Sequence, residues 1–182
     1  MHVHQSLWRD GDNVFHDPDG WERASRACRW YAGGLLRRAR ALCALCAPTP
    51  GSYRRLSAET GAPTKLLLSS SDEGALCRIP HRSPAPAARR LKFRLADPSA
   101  NPHLALAGIL LAGLDGVRRR LEPPLDGAPA SALPRTVEEA LDALQAEREF
   151  LLAGGLRPAL LDAYVEELRT GTAPSPAGAS RV

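Results

Sequence analysis

The stretch ADPSANPHLALAGILLAGLDG, residues 96–116, decides the fold of this 182-residue chain. Asn101 is a favourable helix N-cap and Pro102 suits the first helical position, so a helix is predicted to begin here. The run that follows is apolar almost all round, which predicts a helix buried in the core. The longest apolar run, Leu104–Leu114, ends at Asp115 and is too short to span a bilayer.

Further helices are predicted on both sides of this central one. Residues 21–46 carry apolar positions at helical spacing and predict one long helix, which APTPGSY ends. Residues 53–61 are predicted to form an irregular loop. Thr136 and Glu139 have the spacing of a capping box, and AGGL at 153–156 supplies a glycine stop. The positions that mark a last helix are Leu161, Tyr164 and Leu168.

Strand signals lie ahead of the central helix. Residues 2–8 predict a strand ended by the turn DGDN, with the side chains of His2 and His4 on one face. TKLLLSS and ALCRIP predict two further strands separated by SDEG. The segment RRLKFRL alternates apolar and basic residues. It predicts one face with Leu91, Phe93 and Leu95 and an opposite face with Arg90, Lys92 and Arg94.

Composition is that of a single globular domain, with 44% hydrophobic and 24% charged residues. The formal net charge is +4 and the sequence pI is about 9.2. The basic clusters RRAR (37–40), RR (89–90) and RRR (118–120) lack interleaved aromatic residues and any helix-turn-helix or RNA-binding signature. They are interpreted as solvated helix faces, so a nucleic-acid partner is not expected.

The cysteines and the termini bear on the cellular compartment of the chain. Cys43 and Cys46 form a C-x-x-C without a second pair at zinc spacing, and Cys28 and Cys77 complete the set. Buried, reduced thiols are therefore expected. The polar N-terminus lacks the pattern of a signal peptide, and no membrane partner is expected. We expect a cytoplasmic protein, with residues 170–182 forming a disordered tail.

Several sequence blocks occur together in one order. They are MHVHQSLWRDGDNVF (1–15), YAGGLLRRARAL (31–42), GSYRRL (51–56), CRIP (77–80), ADPSANPHLALAGILLAGLDG (96–116), EEALDAL (138–144) and EREFLLAGG (147–155). This order closely resembles the C-terminal half of the glutamine synthetase catalytic domain, from Met1 to about Leu168. The resemblance implies an α+β fold in which a partial antiparallel sheet packs with helices, over residues 1–169.

The resemblance also implies a chemistry and an assembly. In this family ATP phosphorylates the side-chain carboxylate of glutamate, ammonia displaces the phosphate, and related branches use other amines. ATP and magnesium or manganese are the implied cofactors. Family members form large rings, which implies a homo-oligomer or a complex with paralogue subunits.

The resemblance assigns roles to particular residues. His2 matches the first histidine of the family's M-H-x-H motif, which ligates a divalent metal. His4 and Ser6 match nucleotide contacts, and Arg78 matches an arginine near the ATP phosphates. The implied substrate contacts are Arg55 and Arg94.

Four positions depart from the family pattern. Lys92 stands where the family has a metal-binding glutamate, on a strand predicted to face His2. Gly61 replaces a glutamate that helps to bind ammonia, and Glu73 replaces an arginine that contacts phosphate or glutamate. Ala87 replaces a lysine in the alignment, and that match depends on the placement of a one-residue gap. Four polar positions have lost their chemistry, so a chain inactive by itself is expected.

The family's remaining carboxylate ligands and its small N-terminal domain precede the M-H-x-H strand, with which this sequence begins. The family's acidic-aromatic ending and the segment with its regulatory tyrosine are also not matched. Three hypotheses follow. The chain is a non-catalytic paralogue; or it is a subunit that pairs with a full-length paralogue or a separately encoded N-terminal half; or it is a basic nucleic-acid-binding protein, which the composition disfavours.

Overall fold

The structure, a computed structural model, describes residues 1–56, 62–80, 85–126 and 132–171. Six strands and seven α-helices are described in these ranges, with short 3₁₀ turns at Trp21–Arg23 and Pro86–Ala88. The strands are β1 (Val3–Gln5), β2 (Trp8–Arg9), β3 (Asp12–Asn13), β4 (Lys65–Ser69), β5 (Ala75–Arg78) and β6 (Leu91–Phe93). The helices are α1 (Arg26–Arg37), α2 (Ala39–Cys46), α3 (Pro50–Arg55), α4 (Pro102–Arg119), α5 (Val137–Glu147), α6 (Glu149–Ala153) and α7 (Pro158–Thr170).

The main sheet has four strands in the order β1-β6-β5-β4, which confirms the α+β class. β6 is antiparallel to both β1 and β5, whereas β4 and β5 are parallel, so the sheet is mixed rather than wholly antiparallel. Residues 70–74 make this parallel pairing possible. Their six Cα–Cα steps of about 3.8 Å exceed the length of the five-residue β4 and can return the chain to its start.

One face of the sheet is buried, and α1 packs against it at β4 and β5. Leu91, Phe93 and Leu95 are fully buried, which confirms the face predicted from the alternation in RRLKFRL. All four cysteines are buried and none forms a disulfide bond, as expected. Burial raises the pKa of the Cys28 and Cys43 thiols to about 12, which keeps them protonated.

The central helix α4 begins as predicted, because the Asn101 side chain accepts hydrogen bonds from the backbone N–H groups of His103 and Leu104. Complete burial was a wrong expectation, however, since Leu106 is 51% exposed and Leu110 is 43% exposed. The buried face of α4 is instead built mainly from glycine and alanine. These small residues let α4 approach α1 closely, while Leu106 and Leu110 lie on the outer side of the helix.

Two predicted elements are divided in the structure. The helix expected over 21–46 becomes a 3₁₀ turn, α1 and α2, with a break at Arg38. Arg38 pairs with Asp115 at 3.1 Å and with Glu147 at 3.0 Å, so the break is held by ionic contacts to α4 and α5. The strand expected over 2–8 ends at Gln5, after which the β2–β3 hairpin encloses the predicted turn.

Other boundaries follow local capping. Thr49 and Ser52 form a capping box that starts α3, so the first residues of the expected loop over 53–61 are helical. Gly61 lies outside the described residues. Thr136 caps α5 by accepting a hydrogen bond from the Glu139 N–H, but the Glu139 carboxylate accepts from the Arg135 N–H, so the reciprocal bond of the predicted capping box goes to the neighbouring residue. Thr170 is the last residue of α7 rather than part of a tail, and residues 172–182 lie outside the described part of the chain.

No described helix is both long and apolar enough to cross a membrane.

Candidate functional site

Strand pairing assembles a row of cationic and imidazole side chains on the sheet face opposite the core. His4 of β1 pairs with Lys92 of β6, and Lys92 in turn pairs with Arg78 of β5. His2 directly precedes β1 and Arg94 directly follows β6. Each is two residues from this row, so the alternation of side chains along a strand places both on the same side of the sheet. We call this surface the basic face; its members are His2, His4, Arg78, Lys92 and Arg94.

The strand register defines how Lys92 lies relative to the two histidines. Val3 pairs with Phe93 and His4 with Lys92, so His4, not His2, lies directly opposite Lys92. Continuing the antiparallel register by one residue places His2 opposite Arg94 and diagonal to Lys92. The predicted pairing of the two strands is confirmed: His4 is the direct cross-strand neighbour of Lys92, and His2 lies diagonal to Lys92, close enough for the Lys92 charge to lower the pKa of His2.

Glu73 lies against the arginines of the basic face. Its carboxylate pairs with the Arg78 guanidinium and lies 3.6 Å from Nη2 of Arg94. Arg94 also donates to the backbone carbonyls of Glu73 and Ala75, the latter at 3.2 Å. The ion pair with Arg78 lowers the pKa of Glu73, which stays ionised and partly neutralises both arginines.

The two histidines face positive neighbours. Nδ1 of His4 accepts a hydrogen bond from Nε of Arg90 at 3.1 Å. Burial lowers the pKa of His4, and the charges of Arg90 and Lys92 lower it further. Burial also lowers the pKa of His2, with further contributions from Lys92 and Arg94. Both imidazoles are therefore neutral near pH 7.

Lys92 lies between two other cations, in the middle of the row. Its pKa is lowered by burial and by the charges of Arg94 and Arg78, and Glu73 offsets part of this shift. Among the described residues, Nζ of Lys92 forms no hydrogen bond and no ion pair within 4.0 Å.

Arg55 and Ser6 lie at the margins of this arrangement. Arg55 donates to the backbone carbonyl of Leu95 at 2.8 Å and lies 3.6 Å from Oδ2 of Asp97. The Ser6 hydroxyl accepts a hydrogen bond from Nε1 of Trp8 at 2.9 Å. Ala87 is exposed in the 3₁₀ turn Pro86–Ala88, away from the paired strands.

Four of the six residues given a role by resemblance therefore come together on the basic face. The contact between Arg90 and His4 is not predicted from the sequence. Arg90, the partner of His4, was assigned only to a basic strand face. The signal was present in the alternation of RRLKFRL, which places Arg90 and Lys92 on the same side. Which residue of β1 receives Arg90 depends on the register between strands that are far apart in the sequence.

The donor set of this site does not fit a divalent metal. Ammonium and guanidinium groups surround the two imidazoles, and His4 already uses Nδ1 to accept a bond from Arg90. Across the described ranges, no group of three or more His, Cys, Asp or Glu side chains is placed to hold a metal ion. Magnesium in particular requires oxygen ligands in near-octahedral geometry.

Comparison with solved structures defines the class of fold. Plasmodium falciparum glutamine synthetase superposes with a TM-score of 0.86 over 94% of this chain and 43% of that one, at 23% identity, which shows a shared fold. A structure of apo GmaS without ligand superposes with a TM-score of 0.80 over 94% of this chain and 40% of that one, at 35% identity. The α+β fold is thus that of a glutamine synthetase catalytic domain.

Sequence comparison then gives the family. The model of the glutamine synthetase catalytic domain matches residues 1–173. Glutamine synthetase of Frankia alni is 44% identical over 166 residues, covering 85% of this chain and 35% of that protein. The Streptomyces filamentosus enzyme is 39% identical over 183 residues, covering 93% of this chain and 39% of that protein. The chain belongs to the glutamine synthetase family and spans less than half the length of these relatives.

Proposed function

We propose that this chain is a glutamine synthetase-family subunit that does not, by itself, ligate ammonia or an amine to the glutamate side chain. The observation that carries the proposal is the position of Lys92, in the middle of the row from His4 to Arg78. By resemblance, the same position in the family holds a metal-binding carboxylate.

The electrostatics of phosphoryl transfer support this proposal. The reaction depends on positioning and on neutralising the charge that develops around the γ-phosphate, mainly through metal ions and cationic side chains. At an effective dielectric of about 20, two unit charges about 4 Å apart interact by about 4 kcal/mol. An ammonium in place of a carboxylate converts that attraction for a metal ion into repulsion.

Glu73 supports the proposal from the substrate side. Arg78 and Arg94 match family arginines that contact ATP and substrate, and in this chain both lie against the Glu73 carboxylate. A substrate carboxylate or phosphate would have to displace Glu73 before it could pair with either arginine.

Phosphate release tests the proposed loss of ligase activity. The purified chain is incubated with ATP, magnesium, glutamate and ammonium or a polyamine, and the γ-glutamyl product is measured in the same samples. We expect both signals to remain at the background of a reaction without protein. Turnover above this background that disappears in His2→Ala would overturn the proposal.

A second candidate function is that of an interaction subunit, and the sheet favours it. Among the described residues, β1 pairs only with β6 and forms one edge of the four-stranded sheet. Backbone N–H and C=O groups on the other side of β1 can therefore receive a strand from another chain. The proposed partner is a full-length paralogue or a separately encoded N-terminal half.

Co-expression distinguishes this candidate from a chain without a partner. The polypeptide encoded directly upstream, or a full-length paralogue, is co-expressed with a tagged copy of this chain. Stoichiometric co-purification through gel filtration is the expected result. A partner that elutes apart from this chain would overturn the second candidate and leave the first intact.

A further inference from the structure

We propose that the cavity between the start of α4 and α7 binds a primary amine that carries an apolar or aromatic group, with the Glu167 carboxylate as the partner of its ammonium group. The inference does not depend on the proposed function, because none of the described residues that line this cavity belongs to the basic face. It assigns a ligand class to a part of the helical layer in which the family resemblance assigns no site residue.

The cavity has the size and the walls of a small-molecule site. Its volume is about 500 Å³, within the range of about 300–1,000 Å³ that is usual for ligand pockets. Residues from the start of α4, from α7 and from the segments that precede α3 and α4 form its walls. Most of them are apolar or aromatic, including Pro48, Pro98, Leu104, Leu160, Tyr164 and Leu168. Leu160 is 46% exposed, so a ligand in the cavity would remove apolar surface from water.

Glu167 gives the cavity its charge. Of the described residues in its walls, Glu167 is the only charged one, and its carboxylate forms no hydrogen bond or ion pair within the described chain. Arg169, two residues further along α7, is already paired with Glu138 and Asp142 of α5, each at 3.1 Å. Glu167 also lies in the last turn of α7, where the negative end of the helix dipole disfavours a carboxylate. A bound ammonium group would offset both negative charges.

The hydrogen-bond donors at the cavity wall are largely engaged, which selects against an anion. The Asn101 side-chain oxygen already accepts from the free backbone N–H groups at the start of α4. The Tyr164 hydroxyl donates to the Ala44 carbonyl at 2.8 Å, and the Ser99 hydroxyl donates to the Asp97 carboxylate. The hydroxyl and carboxylate oxygens of the wall remain as acceptors, so the ligand must supply the donors. A protonated primary amine supplies three of them.

The position of this single charge defines a suitable probe. The ammonium group must reach one carboxylate while the rest of the ligand lies against apolar walls. An aromatic ring suits these walls, because it can pack against Tyr164 in an offset or edge-to-face arrangement. The probe 2-phenylethylamine combines both features. The acid 3-phenylpropionate has the same ring on a chain of similar length and the opposite charge, so it is the matched control ligand.

Isothermal titration of the full chain with 2-phenylethylamine at neutral pH tests the inference. We expect saturable binding of the amine and binding of 3-phenylpropionate that is weaker by at least about tenfold. Glu167→Gln should weaken amine binding about tenfold, which corresponds to about 1.4 kcal/mol, because it removes the charged acceptor. Glu166→Gln, at an exposed position of the same helix outside the cavity wall, is the matched control and should bind like the parent. Ala163→Trp should abolish binding, because Ala163 is an exposed wall residue and an indole there would fill the cavity without disturbing the core.

Amide chemical-shift mapping on the parent locates the ligand without any variant, and the largest changes are expected at Leu104, Leu160 and Glu167. Absence of saturable binding, or changes centred elsewhere, overturns the inference. Equal affinity for the amine and the acid, or equal affinity of the parent and Glu167→Gln for the amine, also overturns it. Binding by Ala163→Trp as tight as by the parent places the ligand outside the cavity and has the same consequence. The ligase assay does not involve this cavity, so each of these failures leaves the proposed function standing.

Discussion

Two side chains at the site have opposite charges to those expected from the family resemblance. Lys92 stands where a carboxylate is expected and Glu73 where an arginine is expected. The structure places Glu73 against Arg78 and Arg94, on the same side of the sheet as Lys92. The two changes therefore conserve the net charge of the site but exchange the positions of a positive and a negative group. A carboxylate now neutralises arginines, while an ammonium lies beside the histidines.

This charge distribution predicts the titration of the two histidines. His2 and His4 should titrate below the ordinary value of 6.5, because burial and cationic neighbours disfavour their protonated forms. Proton NMR of the imidazole resonances measures both pKa values. In Lys92→Gln both pKa values should rise towards 6.5. A parent pKa at or above 6.5 for either residue would contradict the arrangement.

The same shifts set a pH dependence of stability. Between the lowered folded pKa and 6.5, the unfolded chain binds more protons, so the free energy of unfolding rises with pH through this window. This contribution is present above 6.5 and is lost as pH falls through the folded pKa. The free energy of unfolding, measured with urea at several pH values, should rise less steeply with pH in a His2→Gln, His4→Gln double variant than in the parent.

At the scale of elements, the contact between α1 and α4 organises the helical layer. A Cβ on Gly34 would lie 2.1 Å from the Ala112 carbonyl oxygen, and a Cβ on Gly116 would lie 2.2 Å from that of Trp30. The side chain of Tyr31 also fills the space above Gly113. Backbone therefore packs on backbone, and only glycine fits these positions.

Gly116→Ala is predicted to destabilise the chain by about 3 kcal/mol, because overpacking at a rigid backbone contact forces the helices apart. Urea unfolding measures the loss. Gly51→Ala in α3 is the matched control, since a Cβ there would meet its nearest neighbour at 3.5 Å. This control should be neutral or slightly stabilising. Equal midpoints for parent and Gly116→Ala would show that the two helices are not in close contact.

Local sequence signals predict some of these elements and not others. The Asn101 cap, the Thr136 cap and the alternating faces around Lys92 depend on neighbouring residues and were predicted correctly. The break at Arg38 could not be predicted, because it is held by Asp115 and Glu147 from distant helices. The exposure of Leu106 follows from the packing of α4 against α1, and the pairing of Lys92 with His4 follows from long-range register. Neither this exposure nor this register can be predicted from composition and periodicity.

At the scale of the whole molecule, the described chain forms a four-stranded sheet with a helical layer on one side and the basic face on the other. β1 is an edge of this sheet without a further strand among the described residues, whereas the outer side of β4 is partly covered, because the Leu68 N–H donates to the Pro124 carbonyl at 2.8 Å. Edge strands without covering elements recruit strands from other chains. The described domain is thus expected to associate, either with itself or with another family member.

Sedimentation velocity tests this expectation. The purified 19.5 kDa chain should sediment as oligomers or larger assemblies over micromolar concentrations. Hydrogen exchange in the same samples should show slower exchange of the β1 amides as concentration rises, because association covers that edge. A single species at the monomer mass, with cooperative thermal unfolding, would contradict it.

Manganese binding, measured by electron paramagnetic resonance, tests the central claim about Lys92 most directly. Manganese accepts imidazole more readily than magnesium does, so it suits a site with histidines and one carboxylate. The parent should leave the signal of hydrated manganese unchanged, Lys92→Glu should reduce it by binding the ion, and Lys92→Glu with His2→Ala should restore it. Manganese binding by the parent as tight as by Lys92→Glu would contradict the claim that Lys92 excludes the metal.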